Sequence, residues 1–362
     1  MLPDQLKIAR LRLMLGIVNV GSWVVASGLG LYWLSHALPS SINLPQLGWA
    51  LVAVALLQSV LDFLGGAVLM PTPRPRAAAF FRVWLRGALV HTLLLIGIML
   101  VHAASLRLTG GFGPAILVAT LGLAVGHLGL LRAVTGATLD GESRPDGTTL
   151  VRAPAQDPAF TGGITGWGRH ARILMPASWL ANLSPSELAV EFFRREWQVK
   201  NGLPGRAVLL ILAWNLLGSQ VGSVLFELAD RPVAEALLGQ ACWMTLWAFA
   251  GLLVLPSLSR FAVFAADRAA ARSGYDPRGW ITRFPTVVGE DGNPRSALQA
   301  IFYPIPSAAQ RLRALEQQGA DYVLGNLART NLYYSCATLT PLGRAVHCNV
   351  GRPALWIFPP AA

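Results

Sequence analysis

Charge is what this chain has least of. Only 13% of its 362 residues are charged while 54% are hydrophobic, and the mean hydropathy is +0.49, a balance that excludes an ordinary soluble domain. Cysteine is nearly absent as well. Cys242, Cys336 and Cys348 are the whole set, which excludes a disulfide-framed scaffold and leaves no thiols at metal-binding spacing. Cys336, His347 and Cys348 fall short of the ligand count of a structural zinc site, so they read as packed side chains. Acidic residues are outnumbered, 18 against 29 basic ones, for a net charge of +11. On so apolar a chain this surplus fits membrane insertion with anionic lipid nearby and requires no nucleic acid.

Long hydrophobic runs are what the sequence has in their place. A helix needs about 20 mostly apolar residues to cross the hydrocarbon layer, and six stretches satisfy this: Leu13–Ser35, Leu47–Met70, Val83–Ala104, Pro114–Leu131, Ala207–Leu228 and Ala236–Leu258. The first is too long for a signal-peptide core and no small-residue cleavage pattern closes it, so it reads as an anchor. Basic residues are retained on the cytoplasmic side. Lys7, Arg10 and Arg12 precede the first run, and Arg74, Arg76, Arg82 and Arg86 surround the second turn, whereas the loops around 36–46 and 227–235 carry little positive charge. The expectation is therefore a mainly α, multi-pass protein of a bacterial-type inner membrane with both termini cytoplasmic. It divides into a four-span region (1–132), a cytoplasmic insert (133–206), a two-span hairpin (207–258) and a cytoplasmic C-terminal part (259–362).

Within the insert, Thr135–Pro158 is rich in Gly, Asp, Pro and Thr and reads as a linker. Ala171–Met175 reads as a short strand, with a Gly-rich turn before it that suggests a hairpin. Ser184 followed by Glu187 forms a capping box opening a helix from Pro185 to about Val199. Beyond the sixth run, Arg260–Arg272 reads as a further helix ending at Gly274, and Pro306–Gln318 as an amphipathic one with Leu312 and Leu315 on one side. The last forty residues show no periodicity and receive no assignment. Asp62 and Arg86 lie toward the cytoplasmic ends of adjacent spans, where they can form a structural ion pair. Of the histidines in or near spans, His91, His102 and His127 among them, helix-to-helix hydrogen bonding is the plain reading, and His170, the one histidine of the insert, reads as a strand or surface residue.

Several of these pieces fall in one order. Ser184-Pro185-Ser186-Glu187-Leu188 and Val199-Lys200-Asn201 frame a helix, two apolar runs follow, Ala266-Asp267 sits on a second helix, and Tyr303-Pro304 precedes Arg311. The stretch GGITGWGRHARILMPASWL comes just before the first helix. In this collinear arrangement, from about Asp62 to Gln318, the chain resembles the integral-membrane zinc metallopeptidases that include the CAAX prenyl proteases and HtpX. The resemblance implies a metallopeptidase-like cytoplasmic domain with a small edge strand or hairpin.

The resemblance also places Arg194, Arg195 and Gln198 where the family has His, Glu and His, and Val263 where it has a third ligand, Glu. In H-E-x-x-H two imidazoles one helical turn apart face one zinc, and the neighbouring carboxylate acts as general base. Arginine has no lone pair to offer, glutamine is a poor zinc ligand and valine is none, so the expectation is no metal, no zinc cofactor and no peptidase activity. Implied cleft residues are Arg194, Arg195, Gln198, Val263, Asp267, Tyr303 and Arg311, with Arg194 and Arg195 directed toward Asp267 in place of the metal charge. Gly163, Ile164, Thr165 and Gly166 would form an edge able to pair with an extended segment of a protein partner, alongside membrane lipid. Two other readings stay open: a membrane endopeptidase with an atypical site built from Glu191, Glu196 or Asp267, and a transporter or assembly subunit that keeps only the helices.

Overall fold

The computed structural model describes residues 3–36, 43–69, 77–136, 138–143, 148–154, 160–289, 305–317 and 323–357. Tyr303, Arg74 and Arg76 lie outside these residues. Six helices are long and apolar enough to cross a membrane, the character of a multi-pass membrane protein. They are α1 (Pro3–His36), α2 (Leu44–Phe63, prolonged by a π-turn over Leu64–Val68), α3 (Ala77–Thr109), α4 (Gly113–Thr135), α7 (Leu203–Leu225) and α8 (Val233–Arg272). Each covers most or all of one expected run. Large apolar side chains such as Trp49, Leu57 and Val125 stay exposed on them, as helices facing lipid require.

One expectation fails at α8. The sequence suggested a span ending near Leu258 and a separate helix from Arg260, whereas α8 is one helix of 40 residues with Pro256 inside it. It therefore runs through the boundary expected at 258/259. A proline removes only one i→i−4 bond, and an apolar helix can carry that loss when neighbours pack around it. At about 1.5 Å per residue the helix is about 60 Å long, twice the hydrocarbon thickness. It thus carries Asp267, near its end, well clear of the apolar segment.

Between α4 and α7 lies a four-stranded sheet of order β1-β2-β4-β3, comprising β1 (Asp140–Ser143), β2 (Thr149–Ala153), β3 (Gly163–Thr165) and β4 (Arg172–Pro176). β3 and β4 form the expected antiparallel hairpin, with Ile164 opposite Ile173, and β3 is an edge. β1 and β2, however, fall inside the stretch read as linker. Its Gly, Asp and Pro content reports local turn tendency, while β2 gains its order from parallel pairing to β4 and burial of Leu150, Val151 and Ala153. After α5 (Ala177–Asn182), α6 (Pro185–Lys200) starts at the expected capping box: Ser184 and Glu187 each bond the other's backbone amide. Its inner face packs with Ile173, Met175, Trp179, Trp280 and Phe284, the last two from α9 (Pro277–Val288). Then α10 (Ala308–Glu316) matches the expected amphipathic helix and is capped by Ser307.

The chain after residue 323 is the largest departure. Short helices α11 (Leu327–Tyr334), α12 (Leu342–Ala345) and α13 (Pro353–Ile357) are almost wholly buried. They pack among the apolar helices rather than apart from them: Tyr333 donates to the Leu123 carbonyl midway along α4, Asn215 of α7 donates to the Tyr334 carbonyl, and Thr245 of α8 donates to Thr340. These contacts with the middles of three apolar helices differ from the wholly cytoplasmic tail that the sequence suggests. Elements this short and buried on all sides have no polar face, so no periodicity announces them.

The expected Asp62–Arg86 pair is also replaced. Asp62 accepts from both Nε and Nη2 of Arg344 in the tail and from the Gly351 amide, and Arg86 instead lies against Gly136. His127 makes the expected helix-to-helix bond on one side, its Nε2 donating to the Ile357 carbonyl at 2.7 Å, and on the other it meets β3, its Nδ1 left to accept from the Thr165 hydroxyl at 3.2 Å.

Candidate functional site

Helix periodicity assembles the site. Glu191, Arg194 and Arg195 are three and four residues apart on α6, the spacing at which side chains share a face, and the face they share is the buried one. Arg194 Nη1 is 2.6 Å from Glu191 Oε2, and Arg195 Nε donates to Glu191 Oε1 at 2.9 Å. α8 brings in Asp267, whose Oδ1 is 2.8 Å from Arg194 Nε. α10 brings in Arg311, which clasps Asp267 with Nε and Nη2 at 2.7 and 2.8 Å. Trp280 of α9 donates to Glu191 Oε2 at 2.9 Å. All five charged side chains are at most 2% exposed, so four helices converge on three guanidinium groups and two carboxylates.

Arg195 reaches further than the cluster. Its Nη1 and Nη2 donate at 2.6 Å to the carbonyls of Leu174 and Thr161, tying α6 to β4 and to the chain entering β3. Gly162 makes this approach possible at φ +67°: a Cβ there would meet the Leu174 carbonyl and Arg195 Nη1. Trp179 and Phe284 lie 5.7 Å from the Arg195 and Arg311 guanidinium carbons, aromatic walls that exclude water and strengthen the ion pairs.

Burial alone would push the Glu191 carboxyl up, but Arg194 and Arg195 outweigh it and hold it down at about 2. A carboxylate depressed in the folded state contributes stability above its unfolded value, here 4.5, and loses that contribution as pH falls toward 2. The free energy of unfolding in detergent should accordingly fall between pH 4.5 and 2, by a term on the order of 3 kcal/mol, and the melting temperature with it. Glu191→Gln should be less stable at neutral pH and flatter across this window. A wild-type curve with the same slope as the variant's would show that Glu191 is not the titrating group.

Of the residues singled out from sequence, Arg194, Arg195, Asp267 and Arg311 meet in one cluster. Val263 is buried one turn before Asp267 on α8 and offers no donor atom. Gln198 stands outside the cluster and lines a neighbouring cavity of about 120 Å³ together with Arg195, Gly163, Ile164, Thr165 and Gly166. Glu191, which the sequence suggests only for an atypical hydrolytic site, joins this cluster, and Trp280 is a further member with no sequence signal. The i, i+3 and i, i+4 spacing from Glu191 to the two arginines was the available signal for the first, while nothing local points to Trp280. Among the described residues no group of three His, Cys, Asp or Glu side chains is placed to hold a metal. The side chains at the cluster do not fit zinc either: guanidinium nitrogens have no lone pair to give, and both carboxylates are already engaged by arginine.

No family model, curated protein or solved structure matches the chain. Its function therefore rests on the geometry itself.

Proposed function

We propose that this is a membrane-embedded pseudopeptidase, which holds an extended segment of a membrane partner beside β3 without cleaving it. The carrying observation is the buried cluster of Arg194, Arg195, Arg311, Glu191 and Asp267, at the positions where resemblance to the membrane zinc metallopeptidases would put the metal. A guanidinium supplies fixed positive charge there, so the walls of the cleft keep their shape while no water is activated. The same contacts weigh against the atypical-hydrolase reading, because a carboxyl held at about 2 is a poor general base at neutral pH. We place the protein in a bacterial inner membrane with its amino terminus and the sheet on the cytoplasmic side, as the distribution of arginine requires.

Protein purified without chelator should contain far less than one zinc per chain and should leave casein and a prenylated peptide intact. The combined variant Arg194→His, Arg195→Glu, Gln198→His, Val263→Glu should take up zinc if the cleft geometry is that of the family. Stoichiometric zinc in the unmodified protein would falsify the proposal.

A further inference from the structure

The cavity beside β3 has a chemical bias of its own. It is lined on one side by the backbone of Gly163–Gly166 with Trp167, on another by Arg195 and Gln198, and on a third by Arg329 and Tyr333 of α11. Two guanidinium groups thus belong to its walls, and among the described residues no Asp or Glu lines it. Arg195 is itself one of the three guanidinium groups that the buried cluster sets against two carboxylates, so the cluster's single excess positive charge lies at this wall, in a water-poor region where it is weakly screened. Neutral donors stand nearby in Gln198, Asn326 and Thr330, and Leu203, Ala207 and Val208 supply apolar surface. The volume is about 120 Å³, room enough for one side chain.

We infer that this cavity is a side-chain subsite for an extended protein segment, and that it selects a side-chain carboxylate. The inference rests on the reading of β3 as a docking edge. Strand addition provides affinity through main-chain bonds, whereas pockets beside the strand provide sequence preference. An incoming carboxylate leaves water, and it is compensated here by positive walls and hydrogen-bond donors; an amide loses the charge-assisted part, and an ammonium meets like charge.

The test uses the full chain in nanodiscs and a short Thr/Val peptide, acetylated and amidated at its ends so that one central side chain carries the only charge. With Glu at that position binding should be about tenfold tighter than with Gln, and Lys should not bind measurably. Arg329→Gln should remove the difference between the Glu and Gln peptides while keeping binding of the latter. Because Arg329 is buried, Gln198→Glu provides a second variant at a half-buried position: it should weaken the Glu peptide and rescue the Lys peptide. Equal binding of Glu and Gln peptides overturns the carboxylate preference and leaves the docking edge standing. If none of the three peptides binds, the docking edge falls and this inference with it.

Discussion

Asp267→Ala should destabilise the protein by about 3–5 kcal/mol, the usual cost of removing one partner from a buried ion pair. Asp267 serves two arginines, so its loss leaves Glu191 as the ion-pair partner of Arg194 among the described residues and removes two hydrogen bonds from the Arg311 guanidinium group. Neither arginine can escape by deprotonation, and at 1% and 2% exposure neither reaches water without local unfolding. α10 should detach first, since Arg311 and Ala314 are its buried residues. Unfolding in detergent followed by tryptophan fluorescence would measure the loss, and Asp267→Asn should recover only a minor part of it. A cost below about 1 kcal/mol, typical of an exposed pair, would show that the cluster is not the sealed charge network described above.

The second large effect belongs to Asp62. Both of its carboxylate oxygens accept from the tail, Oδ2 from Arg344 and Oδ1 from the Gly351 amide at 3.1 Å, and the Arg344 guanidinium in turn lies 4.0 Å above the Trp356 ring. Asp62→Ala leaves a guanidinium buried at 3–4% exposure among apolar helices, again a loss of about 3–5 kcal/mol. Here the expected consequence is local: the tail should leave the bundle before the bundle itself unfolds. Cys336, now buried in the tail, should react with a maleimide many times faster in the variant, as peptide mapping of the labelled protein would show. Equal protection of Cys336 in both proteins would mean that packing alone retains the tail.

What the sequence disclosed about this fold follows the range of each signal. The six apolar helices and the start of α6 were legible because long hydrophobic runs and a capping box act within a few turns of chain. The meeting of Arg194 with Asp267 became legible only through a resemblance, since α6 and the far end of α8, with α7 between them, carry no local sign of their contact. Asp62 shows the limit plainly. Arg86 was the nearer candidate along adjacent spans, yet the partner is Arg344, 282 residues away in sequence. The short tail helices were missed for a related reason, since a residue surrounded on every side leaves no alternation to read, and β2 because its order comes from pairing with the distant β4.

The packing of residues 323–357 also sets an order in time. A growing chain emerges from its amino terminus, and segments fold as they become available, so all six apolar helices are synthesised before the residues that fill the space between them. During that interval Asp62 lacks Arg344, Asn215 lacks the Tyr334 carbonyl and His127 lacks the Ile357 carbonyl. Polar groups in hydrocarbon are costly when unmatched, which makes the nascent bundle a state that chaperones and membrane proteases can distinguish from the finished one. Closure of the bundle is then a late, single event that waits for the synthesis of residues 323–357, when one short segment settles into place and three helices find their partners together.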